Sequence, residues 1–236
     1  MFIHNARVNS PFFHVSAALF DLDGTLVKTA IDFAWMKSEV ITLASEYHLS
    51  TSDLQKLDIL SAVMEGQQRL ILLHGVTTGN EFRKRCFDRL QHIETLQCSD
   101  PVYIPGAVEI LDDLHQKNVP VGIVTRNCRS VALNLLEYSG VKYDILVSRD
   151  DCQTAKPDPE QLILALSLMG VKSTDFSRAI MVGDHPMDIE AGRRLGCKTL
   201  AVLHSYDRAF FDSVMPDLIF DDLEQIVRLL GGVAIC

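Results

Sequence analysis

The sequence lacks the cysteine spacings that mark zinc sites and dithiol redox sites. Six cysteines occur in 236 residues, and none forms a C-x-x-C pair or stands beside a second ligand at zinc-finger spacing. We expect reduced thiols, which are typical of cytoplasmic proteins. The cysteines are Cys86, Cys98, Cys128, Cys152, Cys197 and Cys236.

Long apolar runs, nucleotide-binding signatures and an excess of basic charge are also missing. No segment approaches the ~20 apolar residues of a membrane helix, so we expect no membrane partner. Asn5, Arg7 and Asn9 interrupt the apolar residues near the start, and we expect no signal peptide there. Neither G-x-x-x-x-G-K-S/T nor G-x-G-x-x-G occurs. The net charge of −9 argues against a nucleic-acid partner, because phosphate backbones are bound by clustered Lys and Arg.

What is present describes a globular chain with a mixed α/β pattern. Apolar residues make up 47% and charged residues 22%, which is enough apolar content to bury a core. After Pro105-Gly106 short apolar runs alternate with amphipathic stretches. This βα repetition predicts a doubly wound parallel sheet with helices on both faces. Its predicted strands are 121–125, 143–147, 179–182, 198–203 and 217–220, and its predicted helices are 129–138, 159–169, 187–195 and 222–230.

Residues 28–97 have a different pattern, in which apolar side chains recur at helical spacing. Ser52 and Gln55 have the spacing of a capping box, which predicts that a second helix starts there and ends at Gly75. We predict a helical insert of about 70 residues after the first strand, with no strand inside it. The predicted helices contain Phe33–Ala44, Leu54–Met64 and Phe82–Ile93.

The most informative stretch is Ala18-Leu19-Phe20-Asp21-Leu22-Asp23-Gly24-Thr25-Leu26. The apolar run predicts a buried strand, and the acids follow at its carboxyl end, where open α/β sheets bind their ligands. Asp21 and Asp23 project to the same side of an extended chain. At about 4 Å two carboxylates repel by roughly 4 kcal/mol at an effective dielectric of about 20, so the pair needs a cation, a shared proton or splayed side chains. The alternative is a strand that ends in a solvated acidic turn.

Three further strand ends carry residues of the same chemical interest. Thr125 follows one predicted strand, Lys156 lies just past the next, and Asp184 and Asp188 follow a third. Because parallel strands end at one edge of a sheet, we expect these side chains to converge on Asp21. Each also has a structural alternative. Thr125 could cap a helix, Lys156 could be a solvated lysine, and the two acids could complement the positive end of a helix.

Together these residue types fit phosphoryl transfer. Asp21 can attack phosphorus and form an aspartyl phosphate. The carboxylates of Asp21 and Asp184 suit Mg²⁺, which would neutralise charge between the nucleophile and a phosphate dianion. Asp188 is expected near Asp184 on the first helical turn, where it can hold metal-bound water.

The remaining residues fit the handling of the phosphoryl group and of protons. Thr125 can donate its hydroxyl to a phosphoryl oxygen, together with the backbone N–H groups of Arg126 and Asn127. Lys156 supplies a compact positive charge for the same group. Asp23 can give a proton to the leaving oxygen and later take one from water.

Four motifs contain these residues in order: Asp21-Leu22-Asp23-Gly24-Thr25-Leu26, Val124-Thr125-Arg126-Asn127, Lys156-Pro157-Asp158-Pro159 and Gly183-Asp184-His185-Pro186-Met187-Asp188. They resemble the motifs of the haloacid dehalogenase superfamily, in its phosphoglycolate-phosphatase-like branch, and the resemblance covers nearly the whole chain. It implies a Rossmann-like core domain of residues 1–27 and 99–236, with a helical cap domain of residues 28–98. It also implies that Asp21 is the nucleophile and Asp23 the acid/base. The implied Mg²⁺ site contains Asp21, Asp23 through its carbonyl, Asp184 and, nearby, Asp188.

Asp23 also separates branches of that superfamily, because dehalogenases and phosphonatases lack this aspartate. The resemblance implies a Mg²⁺-dependent phosphatase whose partner is a small phosphorylated metabolite. Two alternatives stay open: a phosphomutase of the β-phosphoglucomutase type and a signalling receiver, which also forms an aspartyl phosphate. We expect the helical insert to select the substrate. Its candidate anion contacts are Arg69, Arg83, Lys84, Arg85 and Arg89. Alternatively, these basic residues lie on solvated faces of amphipathic helices.

Overall fold

The structure is a computed structural model and describes residues 15–98, 101–204 and 206–231. The start of the chain, where we expect no signal peptide, and Ser99, where the second part of the core domain is predicted to begin, lie outside these residues. Contacts divide the chain into two compact units, with boundaries after Lys28 and after Pro101. We call the part between these boundaries the helical unit and the rest the α/β unit. Their assignment as cap domain and core domain stays a prediction.

The α/β unit contains the strands β1 (Ala18–Phe20), β2 (Val27–Lys28), β3 (Val102–Tyr103), β4 (Val121–Val124), β5 (Ile145–Val147), β6 (Ile180–Gly183), β7 (Lys198–Val202) and β8 (Leu218–Phe220). Six of them form a parallel sheet in the order β5-β4-β1-β6-β7-β8. The first strand lies in its middle, because Ala18 pairs with Val121 on one side and with Ile180 on the other. This central place buries Ala18, Leu19 and Phe20 completely.

Helices flank this sheet and follow the predicted alternation. Leu19 and Met181 form one apolar cluster with residues of α6 and α7, while α4 packs against β4 and α8. The predicted doubly wound α/β fold is therefore confirmed. The helices of this unit are α4 (Ala107–Gln116), α5 (Arg129–Ser139), α6 (Glu160–Leu168), α7 (Pro186–Leu195) and α8 (Leu223–Gly231), and those of the helical unit are α1 (Phe33–Glu46), α2 (Ile59–His74) and α3 (Val76–Gln97).

A second, two-stranded sheet was not predicted from the sequence. In it β2 pairs antiparallel with β3, so that Val27 lies opposite Tyr103. Each strand has two residues, which is too short for a period-2 pattern to be recognised. This pair holds together the two crossings of the chain between the α/β unit and the insert.

The predicted start of the second helix is wrong. Ser52 does not open a helix, and the segment that follows it forms one 3-10 turn at Leu54–Lys56. The helix α2 begins at Ile59 instead, because the Asp58 carboxylate accepts hydrogen bonds from the backbone N–H groups of Leu60 and Ser61 at 3.1 and 3.3 Å. Gly75 ends α2 as predicted, with a φ of 89° that favours glycine.

The basic side chains of the helical unit are engaged with neighbouring side chains of the same unit. Arg89 reaches Glu39 at 2.9 Å and Glu46 at 3.0 Å, and Arg85 reaches Glu46 at 2.9 Å. Arg83 lies over the Phe87 ring, and Arg69 and Lys84 pair with acids one helical turn away. These contacts agree with the alternative interpretation, in which the basic residues lie on solvated helix faces and are not anion contacts. Among the helices that the structure describes, none has the length and apolar character needed to cross a membrane.

Candidate active site

Asp21 and Asp23 lie directly after the central strand β1. The Asp21 N–H donates to Val182 O on β6 at 3.0 Å, which holds the start of the turn against the sheet. Gly24 then takes a φ of +90°, a conformation that residues with a side chain rarely adopt. The turn buries the Asp21 side chain and leaves Asp23 partly exposed. The predicted nucleophile and the predicted acid/base therefore have different solvation, as their different roles require.

Lys156, in the loop that follows β5, has an enclosed ammonium group. Its Nζ lies 2.6 Å from Asp21 Oδ1 and 2.6 Å from Asp188 Oδ1. It also donates to Val124 O, at the end of β4, at 2.7 Å. These contacts use the three donors of an ammonium group. A side chain that is 1% exposed is not the solvated lysine of the alternative interpretation.

Asp184 and Asp188 complete an acidic cluster with Asp21. One carboxylate oxygen of each lies within 4.8 Å of the other two. Thr25 donates its hydroxyl to Asp184 Oδ1 at 3.2 Å, which orients that carboxylate. The structure thus brings Asp21, Lys156, Asp184 and Asp188 together at the carboxyl edge of the sheet, and their chemical roles stay predictions.

Two glycines make this close approach sterically possible. A Cβ atom on Gly24 would lie 2.2 Å from Asp184 Oδ2, and one on Gly183 would lie 2.4 Å from the Asp188 carboxylate. Real Cβ atoms essentially never come so near. The glycines of the first and fourth motifs therefore create the space that the acidic side chains occupy.

Electrostatics in the cluster favour protons or a cation. Burial raises the pKa of Asp21 to about 7, although the charge of Lys156 opposes this shift. Burial, followed by the charges of Asp21 and Asp188, raises the pKa of Asp184 to about 8. Burial lowers the pKa of Lys156, but the two carboxylates outweigh it and the net shift is upward. The carboxylates outnumber the ammonium group, and a divalent cation would relieve their repulsion.

The chemistry of the cluster fits Mg²⁺, which prefers hard oxygen ligands and accepts one or two carboxylates together with waters. Asp21 and Asp184 each offer a carboxylate oxygen to the cluster, and Asp184 lies in the space that Gly24 leaves open. Asp188 is more constrained, because its Oδ1 contacts Lys156 and its Oδ2 accepts from the His185 N–H at 3.1 Å. This arrangement suits the predicted role of Asp188 in holding metal-bound water. The Asp23 side chain is not part of the cluster, so its predicted contribution is that of its carbonyl.

The start of α7 places Asp184 and Asp188. His185 Nδ1 accepts a hydrogen bond from the Met187 N–H at 3.2 Å, and Asp188 Oδ2 accepts one from the His185 N–H. This reciprocal pair is a capping box. Asp188 therefore does complement the helix start, as the alternative interpretation holds, and contacts Lys156 with its other oxygen.

The second motif, which we predict to bind the phosphoryl group, lies at the end of β4. Thr125 Oγ1 accepts from the Asn127 N–H at 3.1 Å, which leaves the hydroxyl hydrogen for another acceptor and removes that N–H from the predicted phosphate donors. Asn127 Nδ2 is buried and makes no hydrogen bond, a costly state that a phosphoryl oxygen would relieve. The Arg126 guanidinium contacts Met187 Sδ at the start of α7.

Sequence reasoning missed the roles of Thr25, Gly24 and Gly183, although all three lie in the quoted motifs. The signal for Gly24 was its place directly after two acids, where an isolated glycine indicates close approach of another group. No local pattern marks the Thr25 hydroxyl, because its partner Asp184 is 159 residues away.

Comparisons with known proteins agree with this geometry. The family model described as haloacid dehalogenase-like hydrolase matches residues 18–202, a range that contains every residue of the site. The chain is 31% identical over 224 residues to the pyrophosphatase PpaX of Bacillus velezensis, covering 92% of this chain and 97% of that protein. It is 28% identical over 213 residues to hexitol phosphatase A of Escherichia coli, covering 88% and 91%.

A solved structure shares the fold. A Bacteroides fragilis protein, provisionally assigned as a haloacid dehalogenase-like hydrolase, superposes with a TM-score of 0.62 at 21% identity, covering 90% of this chain and 100% of that chain. The family match spans most of the chain, and the resemblance inferred from four motifs is confirmed. This chain belongs to the haloacid dehalogenase-like hydrolase family.

Proposed function

We propose that this hydrolase is a Mg²⁺-dependent phosphatase that acts on a small phosphorylated metabolite through an aspartyl phosphate on Asp21. The observation that carries the proposal is the buried contact of Lys156 with Asp21 and Asp188 at 2.6 Å each, at the edge where Asp184 also lies. The relatives named pyrophosphatase and hexitol phosphatase support a phosphorylated substrate.

In the first half-reaction, an Asp21 carboxylate oxygen bonds to phosphorus while the bond from phosphorus to the leaving oxygen breaks. Asp23, which is partly exposed, gives its proton to that leaving oxygen. Thr125 and Asn127 donate hydrogen bonds to the phosphoryl oxygens, and Lys156 holds Asp21 in place. Bound Mg²⁺ would neutralise charge between the carboxylate and the phosphate.

In the second half-reaction, Asp23 takes a proton from a water whose oxygen bonds to the same phosphorus. The bond between phosphorus and the Asp21 oxygen breaks, and inorganic phosphate leaves. Asp21 is again a carboxylate and Asp23 again carries a proton, so the cycle closes with no other reactant than water.

We propose that the insert of residues 28–98 selects the substrate as a cap. Its basic residues are engaged in contacts within the helical unit, so selection is assigned to other side chains. Phe33 is a candidate, because it is 56% exposed at the start of α1.

The cysteine pattern and composition support a cytoplasmic location.

A panel of phosphate compounds tests the function. Purified protein is incubated with Mg²⁺ and pyrophosphate, hexitol phosphates, sugar phosphates or phosphoglycolate, and released phosphate is measured. We expect at least one compound to be hydrolysed, and we expect excess EDTA to abolish the reaction. Isomerisation of a sugar phosphate without release of phosphate would establish a mutase instead. A stable aspartyl phosphate without turnover would establish a receiver.

A further inference from the structure

Gln161, which no motif contains, has a fully buried amide. It lies in the first turn of α6 and is 0% exposed. Glutamine is rarely buried to this extent, because an amide removed from water must find hydrogen-bond partners inside the protein.

Both ends of this amide bind peptide groups of the phosphate-binding edge. Gln161 Nε2 donates to Thr125 O at 2.9 Å, and Gln161 Oε1 accepts from the Lys156 N–H at 3.0 Å. A carbonyl can only accept and a peptide N–H can only donate, so these partners fix which end of the amide is which. One side chain thus connects the second motif to the third.

Side chains other than that of Gln161 stabilise the first turn of α6. Asp158 Oδ1 accepts from the Glu160 N–H at 2.9 Å, and the Glu160 carboxylate accepts from the Thr154 N–H at 2.7 Å. These contacts cap the helix and hold the preceding loop on its outer side. The helix start does not depend on the Gln161 amide, which points to the strand end instead.

Two successive carbonyls at the end of β4 are therefore held by Lys156 of the loop and by Gln161 of the helix that follows it. Lys156 Nζ binds Val124 O at 2.7 Å, and the Gln161 amide binds Thr125 O while it holds the Lys156 backbone. We infer that Gln161 is a positioning residue that sets the spacing between the Thr125 hydroxyl, which would hold the phosphoryl group, and the Lys156 ammonium, which holds Asp21. This inference rests on the proposed function and adds a residue to it.

The test replaces the amide with an apolar side chain of similar length, Gln161→Met. A misplacement of about 1 Å can cost roughly 10²-fold in rate, so we expect kcat/KM to fall ~10- to 100-fold. We expect the Kd of inorganic phosphate, measured with Mg²⁺ present, to rise about 10-fold. The Mg²⁺ concentration for half-maximal activity should change less than the phosphate Kd, because the amide contacts Thr125 and the Lys156 backbone and reaches the acidic cluster only through Lys156. A general loss of structure would change both constants.

Gln225→Met is the matched control. Its amide also bridges two groups, because Oε1 accepts from the Asp221 N–H at 3.2 Å and Nε2 donates to Asp221 Oδ2 at 2.9 Å. It touches no residue of the site, so the same chemical change should leave the phosphate Kd unchanged. Gln161→Asn is the second variant, since its amide is one carbon shorter and cannot reach both peptides.

The outcomes are distinct. A wild-type protein that hydrolyses none of the phosphate compounds overturns the proposed function, and the inference with it. An active wild type with unchanged phosphate Kd in the folded Gln161→Met or Gln161→Asn variant overturns only the inference. A rise in phosphate Kd at Gln161, with none at Gln225, supports it.

Discussion

Charged side chains occupy opposite environments in the two units. In the helical unit Arg89 and its partner Glu39 are each 32% exposed, and the second partner Glu46 is 41% exposed. In the α/β unit the side chains of Lys156 and Asp188 are 1% and 3% exposed. The first set lies on helix surfaces, and the second is enclosed at the carboxyl edge of a sheet.

This difference separates charges that lie on helix surfaces from charges that are costly to bury. Exposed ion pairs are screened by water and contribute little, and the fold tolerates their loss. Buried pairs are expensive, because desolvation can exceed the attraction between them, and apolar residues often stabilise a core better. The proposed function accounts for a fold that nonetheless encloses three acids and a lysine at the carboxyl edge of its sheet.

The largest expected effect comes from Asp21→Asn. An amide is a poor nucleophile, so we expect kcat to fall by more than about 10⁴-fold. The fold should survive with an equal or higher melting temperature, because Lys156 keeps Asp188 as a partner and a buried carboxyl is removed. Released phosphate and circular dichroism measure the two properties. Activity close to wild type would remove Asp21 from its assigned role.

Asp23→Asn should have a smaller effect that depends on the leaving group. Loss of a general acid/base costs roughly 10²–10⁴-fold in rate with alkyl phosphates. p-Nitrophenol needs little protonation when it leaves, so p-nitrophenyl phosphate should lose much less. If both substrates lose the same factor, Asp23 shapes the site and does not transfer the proton.

Lys156→Met tests the contribution of the buried charges to the free energy of unfolding. Removal of one partner from a buried charge pair costs about 3–5 kcal/mol, because the remaining charges are left uncompensated. We expect a loss of this size in urea unfolding at pH 8 in EDTA. The double variant Lys156→Met/Asp188→Asn should lose less than Lys156→Met alone, since it also removes an uncompensated acid. The single variant Asp188→Asn completes the cycle, and a double loss equal to the sum of the two single losses would mean that the contact between Lys156 and Asp188 carries no coupling.

The sequence predicted the strand ends because their signals are local. Leu19 and Phe20 form an apolar run directly before Asp21, and a parallel sheet brings its strand ends to one edge. Reasoning from local signals failed at the start of the second helix, where two possible capping residues compete. The capping-box spacing at Ser52 was overruled by Asp58, whose carboxylate caps α2, so Leu54 and Leu57, which the pattern had placed inside the helix, lie before its start.

Contacts between distant residues could not be predicted in this way. The bond of Lys156 to Asp21 joins positions 135 apart, and that of Gln161 to Thr125 joins positions 36 apart. Periodicity reports which face of an element is apolar, but it does not report which polar groups meet when elements pack. The roles of Gln161 and Thr25 therefore became visible only from the coordinates.

Mg²⁺ and pH should act together on the acidic cluster. In EDTA the folded protein holds protons on Asp21 and Asp184, whose pKa values are raised from 3.8 to about 7 and about 8. Unfolded carboxyls lose these protons at lower pH, so stability in EDTA should fall as pH rises from about 4 to about 8. Mg²⁺ at about 100 times its Kd should restore about 2.7 kcal/mol. At one fixed Mg²⁺ concentration its stabilising effect should be larger at pH 8 than at pH 6, because fewer protons compete for the carboxylates and the Kd is lower.

Thermal unfolding with and without Mg²⁺ measures this effect. Asp184→Asn should abolish the Mg²⁺-induced shift, because it removes a carboxylate of the cluster. Glu190→Gln is the matched control, since Glu190 lies on α7 and pairs with Arg194 outside the cluster. A full shift in Asp184→Asn, or the same shift at both pH values, would contradict the metal assignment.

The smallest expected effect is that of Arg89→Met, which tests the exposed side of the comparison. Arg89 contacts Glu39 at 2.9 Å and Glu46 at 3.0 Å from a side chain that is 32% exposed. Methionine keeps an apolar stem on α3 and removes the charge that contacts Glu39 and Glu46 of α1. Because exposed pairs contribute little, we expect the melting temperature to change by less than about 4 °C, and hydrolysis of the best substrate should be unchanged.

Salt distinguishes the two kinds of charge pair. At 1 M NaCl the Debye length falls to about 3 Å, so the small difference between Arg89→Met and wild type should shrink further. The loss caused by Lys156→Met should persist in the same buffer, since its partners are enclosed and salt cannot reach them. A loss in Arg89→Met as large as that in Lys156→Met, and equally insensitive to salt, would mean that burial does not separate the two sets of charges.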